Sequence, residues 1–355
     1  MKLLFASIGL FGALGVLRAG SIRESLQTEY STGAKLHVSR ETKVSMETTS
    51  MSFEIDGEPM DRGGRGGGRA TRNVHRVDYV DLIQEVSEGT PSKIKRTFEA
   101  IEGEAVMGDQ DISLEAPLNG LTLLLSRDDG EVEAELEEGT VEDDAMLEGH
   151  HMALSLDLLL PADSVAIGDE WEPEDGADLL VALGLDLTPK LFLPPAFERG
   201  GGGGRGGGRG GGSGRGMGAG TEAFFQAVDW DISASLLEQT EEYEGEECLV
   251  VKIEAEGSGE LEEPERGGRG ERRREFELGA PASNGRSVMR RGTEIEIEMS
   301  GKLLFSREAQ RPIHFEIKGE ISVESDREFS RGESTMRMQR SQAGTIEQSV
   351  TISEG

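Results

Sequence analysis

Hydrophobic and polar positions alternate most cleanly from Glu294 to Ser325, EIEIEMSGKLLFSREAQRPIHFEIKGEISVES. Ile295, Ile297, Met299, Gly301, Leu303 and Phe305 share one parity, and Glu294, Glu296, Glu298, Ser300 and Lys302 the other. After SREAQRP the pattern resumes, with Ile313, Phe315, Ile317, Gly319, Ile321 and Val323 opposed to His314, Glu316, Lys318, Glu320, Ser322 and Glu324. Side chains two apart in a strand share a face, so this stretch predicts one long β-hairpin with a single dry side. A turn centred near Ala309 pairs Phe305 with Ile313, Gly301 with Ile317 and Met299 with Gly319. A slip of one residue would turn an apolar row to water, which pins that register. Gly301 and Gly319 fall mid-strand on the dry side, where glycine marks a bend or a close backbone approach, so the sheet is expected to curve.

Similar patterns run through the rest of the chain. Ala34 to Ile55 reads as a strand whose apolar phase changes: Leu36, Val38, Val44 and Met46 have one parity and Met51, Phe53 and Ile55 the other. That implies a bulge between Glu47 and Ser50. Thr71 to Val86 and Ser92 to Ile101 read as strands joined by Glu88-Gly89-Thr90-Pro91, although Val77 and Tyr79 oppose Val80 and Leu82. Leu121 to Arg127 and Glu131 to Leu136 form a hairpin around Asp129-Gly130. Val141 to Leu160 fits two descriptions: a short helix in its first half, and a strand from the alternation of Met152, Leu154, Leu156, Leu158 and Leu160. Val165 to Trp171 reads as a short strand and Ala177 to Leu185 as a short apolar helix. Strands return over Glu222 to Leu237, over Glu247 to Ala255 with Leu249, Val251 and Ile253 inward, and over Thr345 to Ser353. The fold class is therefore all-β with one or two short helices, built on long curved antiparallel sheets resembling a half-barrel.

Three Arg/Gly tracts interrupt this pattern, at Arg62 to Arg69, Arg199 to Gly220 and Arg266 to Arg274. They hold no apolar surface to bury and are expected to stay disordered. The central tract divides residues 21–198 from 221–355, two β-rich halves that form either two domains or one continuous domain. At the N-terminus Lys2, the apolar run Leu3 to Leu17 and the small residues Ala19 and Gly20 read as an export signal, residues 1–20, cleaved near Ala19/Gly20, with an uncleaved anchor as the alternative. No later segment is apolar enough to span a bilayer. The localisation expected is periplasmic or secreted.

Composition narrows the function classes. The 355 residues carry a formal charge of −32, which excludes a generic nucleic-acid surface, so no specific nucleic-acid partner is expected. A single cysteine, Cys248, rules out an intrachain disulfide.

Three segments together, LEAPLNG (Leu114 to Gly120), LLLPADSVAIGDEW (Leu158 to Trp171) and GKLLFSREAQRPIHFEIKGEI (Gly301 to Ile321), resemble a family of uncharacterised exported envelope proteins of planctomycete-like bacteria. The resemblance implies an exported β-rich fold and assigns no catalytic residue. By architecture alone the sheet is also similar to the half-barrels of periplasmic lipid and lipoprotein carriers, an analogy of fold rather than of function.

No motif brings catalytic chemistry together. His37, His75, His150, His151 and His314 are scattered, and the adjacent pair His150-His151 is a poor chelate because neighbouring side chains diverge. Cys248 lacks an oriented base. The glycine tracts do not end in Lys-Ser/Thr as a phosphate loop does. No catalytic residue, metal site or cofactor is assigned, and the chain is read as a non-enzymatic exported protein that either binds a hydrophobic ligand or partner or serves as a structural component of the envelope. Two binding surfaces are weighed. Ile297, Met299, Phe315 and Ile317 line the concave face, as a site for a lipid or other hydrophobic ligand, or else belong to a filled core. Arg199, Arg205, Arg209 and Arg215 offer guanidinium forks to an anionic surface polymer.

Overall fold

The computed structural model describes residues 23–60, 70–107, 110–128, 131–141, 144–173, 176–185, 191–193, 224–261, 287–331 and 334–355. The N-terminal part supplies strands β1 (Arg23–Glu24), β2 (Lys35–Ile55), β3 (Glu58–Pro59), β4 (Thr71–Ser87), β5 (Thr90–Met107), β6 (Gln110–Leu114), β7 (Thr122–Asp128) and β8 (Glu131–Leu136). A connecting region follows, with 3-10 turns at Asp144–Leu147 and Ser155–Leu159, strands β9 (Val165–Ala166) and β10 (Glu170–Trp171), and helix α1 (Gly176–Leu183). The C-terminal part is a meander of β11 (Val228–Tyr243), β12 (Glu246–Glu260), β13 (Ser287–Ser306), β14 (Arg311–Arg331) and β15 (Ser334–Glu354).

Thirteen strands form one open antiparallel sheet in the order β10-β11-β12-β13-β14-β15-β2-β4-β5-β7-β8, with β3 and β6 appended to β2 and β5. Strands from both halves of the chain therefore share a sheet, joined where β15 pairs with β2, Ile346 opposite Val44 and Ile352 opposite Val38. One end of the sheet holds the β13–β14 turn and the other the adjoining ends of β14 and β15, Arg331 opposite Ser334, called here proximal and distal.

The organising hairpin has the expected register over most of its length, with Met299 opposite Gly319 and Gly301 opposite Ile317. Its glycines are places of close approach. A Cβ at Gly301 would lie 2.3 Å from the Glu316 carbonyl oxygen, and one at Gly319 would lie 2.3 Å from that of Glu298. Neither distance is compatible with a side chain, so both residues let the sheet coil tightly about its apolar side. The expected bulge in β2 is present: Gln342 pairs with Thr48 but Ser341 with Ser50, leaving Thr49 as the extra residue that reverses the apolar phase.

Three expectations are corrected. Phe305 pairs with Pro312 rather than Ile313, because a bulge between Leu304 and Phe305 leaves Ile313 unmatched. Ile313 instead turns to the outer face, where it packs with Cys248, Val250 and Leu304 in a small second core. The alternating leucines of Met152 to Leu160 are not a strand. Leu156 and Leu159 are buried from a 3-10 turn, and Leu154 from extended backbone just before it. Val165 to Trp171 is not one strand but two short ones with different partners, β9 on β1 and β10 on β11, separated by a turn with Gly168 at φ 83°. The last strand is also much longer than the Thr345 to Ser353 pattern, because its distal half alternates weakly.

Candidate functional site

Apolar side chains from every long strand meet on the concave face, and the four proposed to line it are fully packed: Ile297 is 1% exposed, Met299 4%, and Phe315 and Ile317 0%. They belong to one core that also contains Met146, Met152, Leu154, Leu156, Leu159, Leu179, Leu183, Leu191 and Phe192. Residues 144–173, 176–185 and 191–193 thus form a cover on the concave face, made largely of turns and one eight-residue helix, with two short strands, β9 paired to β1 and β10 on the edge of the main sheet. Arg199, Arg205, Arg209 and Arg215 lie outside the described residues.

Polar side chains on the concave face fasten this cover. Arg96 of β5 forms a two-pronged ion pair with Asp81 of β4, Nε to Oδ1 at 2.8 Å and Nη2 to Oδ2 at 2.7 Å, and both residues are 4% exposed. The same Nη2 donates to the His151 carbonyl at 2.9 Å, and the guanidinium carbon sits 4.3 Å from the centroid of the Tyr79 ring. Burial works against the Arg96 charge, and the Asp81 carboxylate more than offsets it, so Arg96 is protonated more firmly than a free arginine. Arg40 of β2 donates to the Ser155 hydroxyl at 3.1 Å and lies against Gly184, where a Cβ would fall 1.4 Å from its Nη1. Arg40, Tyr79, Arg96, His151 and Ser155 enclose a void of about 30 Å³, the size of one water.

Deeper along β4 and β5, Phe192 of the cover stacks on His75 with ring centroids 4.8 Å apart, over Gly103, where a Cβ would be 2.6 Å from the ring. Burial holds the His75 imidazole down at about 4, so it is neutral at ordinary pH. His150 is buried beside Phe98 and hydrogen-bonds the Met146 carbonyl at 3.1 Å, while His37 and His314 sit on the outer face as the alternation implies. Cys248 is enclosed in the small outer core, where burial and the Glu246 charge push its thiol up, away from the nucleophilic form.

The sequence carries a signal for this polar cluster in the parity of its charges. Val77, Tyr79, Asp81 and Ile83 share the inward parity of β4, and Ile94, Arg96 and Phe98 that of β5, so opposite charges stand at inward positions on paired strands. Asp157, set among Leu154, Leu156 and Leu159, is a third charge inside an apolar run.

The outer face is acidic. Asp231, Glu256, Glu298 and Glu320 stand directly opposite one another across four adjacent strands, above open troughs of about 940 and 540 Å³. Among the described residues no group of three His, Cys, Asp or Glu is arranged to hold a metal ion, and no helix is long and apolar enough to cross a membrane.

No family model matches the chain, and no curated protein does. Among solved structures it is similar to the outer membrane protein OprG from Pseudomonas aeruginosa at 8% identity, covering 91% of this chain and 98% of that one, with a TM-score of 0.19.

Proposed function

We propose that this chain is an exported, non-enzymatic β protein of the cell envelope whose concave face receives a lipid-sized apolar ligand when its own cover is displaced. One observation carries the reading: a broad apolar sheet face is closed by a segment with little regular structure, joined to it by side-chain contacts at Arg40 and Arg96 and, among the described residues, by main-chain pairing only at its margins, where β10 meets β11 and Leu193 meets Glu115. A second full sheet would be held along a long ladder of main-chain hydrogen bonds, whereas the described residues of 144–166 in this turn-rich cover have no ladder to the large sheet and leave it by breaking side-chain and packing contacts, with β10 staying as a hinge. Ile297, Met299, Phe315 and Ile317 then exchange contacts with the cover for contacts with the ligand, at little net loss of buried apolar area.

The test is native mass spectrometry of protein isolated from its own envelope fraction, together with titration by a fluorescent long-chain fatty acid. A co-purifying lipid-sized mass and saturable fatty-acid binding weakened by Phe315→Arg are expected. Ligand-free protein in every preparation, with no saturable binding, overturns the reading.

A further inference from the structure

The cover is held at its proximal end by the residues that follow the N-terminal apolar run. Arg23 and Glu24 pair with Ala166 and Val165. Arg23 Nη1 donates to the Ser164 carbonyl at 2.9 Å, and the Gln27 side-chain amide to that of Ala162 at 2.5 Å. Leu26 is completely buried. Thr28 Oγ1 donates to Asp157 Oδ1 at 2.5 Å, and the Tyr30 hydroxyl donates to Oδ2 while accepting the Leu154 N–H at 2.8 Å. On its other side the segment is tied to the β13–β14 turn, by the Glu29 N–H to the Gln310 carbonyl at 2.9 Å and by Arg307 to Glu24 at 2.8 Å. It bridges the cover and the sheet.

Most of these contacts are exposed polar ones, and such contacts add little each. Leu26 and the paired donors on Asp157 are the inward anchors. A groove of about 1000 Å³ runs beside them, lined by Leu26, Tyr30, Asp157, Leu160 and Trp171. Opening any pair of the long strands breaks a dozen or more ladder positions, whereas detaching this segment breaks a handful of contacts.

We propose that Arg23–Tyr30 is a releasable clasp, and that its detachment frees residues 154–166 from the concave face while the sheet stays intact. The purpose of such a clasp rests on the ligand reading above; its mechanical behaviour does not.

Hydrogen exchange on the full chain, read by mass spectrometry, tests it. Thr28→Val with Tyr30→Phe keeps the side-chain shapes and removes both donors to Asp157. Exchange across 155–166 should rise at least about tenfold, since one hydrogen bond is already worth about that factor and both donors are lost, while β13 and β14 keep their wild-type protection; Leu154 is left out because Tyr30→Phe also removes the acceptor of its N–H. Arg23→Ala with Gln27→Ala, at exposed positions that leave folding untouched, should give a smaller rise in the same region. Unchanged exchange at 155–166 in both variants overturns the clasp, and so does acceleration that extends equally into β13 and β14. Faster exchange without any gain in fatty-acid capture sustains the clasp and counts instead against the concave face as a ligand site.

Discussion

Two half-buried ionisable residues, Asp157 and His75, have opposite effects on the pH dependence of stability. Burial raises the Asp157 carboxyl from 3.8 to about 6 even though Thr28 and Tyr30 favour its charge, and burial lowers the His75 imidazole from 6.5 to about 4. The folded state therefore keeps a proton on Asp157 that the unfolded chain has lost above 3.8, and stability from this residue falls as pH rises through 6. The folded state refuses a proton at His75 that the unfolded chain takes below 6.5, and stability from that residue falls as pH drops towards 4. Between about 4 and 6 the two slopes cancel. Asp157→Asn should add a dependence approaching +1.4 kcal/mol per pH unit to the wild-type curve, and His75→Phe one of the opposite sign and similar size. Urea denaturation at half-unit pH steps checks both, and parallel curves for all three proteins would contradict the assignment. Among the described residues the charged groups lining the Asp157 groove are all acids, Glu29, Glu88, Asp163, Glu172 and Asp178, and none of them offsets the burial.

At the scale of elements the contest is between the β4–β5 hairpin and the cover. A buried ion pair is weak evidence for stability, because desolvation consumes most of the attraction. Arg96 nonetheless joins Asp81, Tyr79 and the His151 carbonyl, so removing it alone strands a buried carboxylate. Arg96→Met should cost about 3–5 kcal/mol, and Arg96→Met with Asp81→Leu should recover most of that loss in a denaturation cycle. The double variant should also loosen the cover near His151, which exchange would register even where global stability is restored. How much of these elements was legible follows from the same physics. Period-2 alternation located the long hairpin, the Thr49 bulge and the glycine approaches, because each long strand has one wet and one dry side. It failed for Leu154 to Leu159, where buried leucines in 3-10 turns imitate a strand, and for Ile313, where a bulge next to Pro312 moves one residue to the other face. The polar fastening was missed because a charge at an inward position breaks the alternation that locates strands, as at Asp81 and Arg96.

Across the whole molecule, the acids are not distributed to minimise repulsion. Asp231, Glu256, Glu298 and Glu320 face each other in one row, and like charges directly opposite across strands destabilise a sheet. Glu298→Gln should raise the melting temperature by roughly 1–2 °C at low ionic strength, a gain that 0.5 M salt should abolish because exposed charges are then screened. Scanning calorimetry at the two salt concentrations distinguishes this from a packing effect, which salt would leave in place.

The pairing of β15 with β2 has a consequence for how the chain is made. Residues 334–354 fill the centre of the sheet, between β14, which directly precedes them, and β2, which is translated long before them, with Met336 beside Ile55 and Glu354 beside Leu36. Until that stretch emerges, β2 presents a bare edge of 21 residues and the core cannot be finished, so the sheet is completed late by topology alone. Whatever meets the chain before this central strand is made meets it unfinished, with the facing edge of β2 still open to pairing.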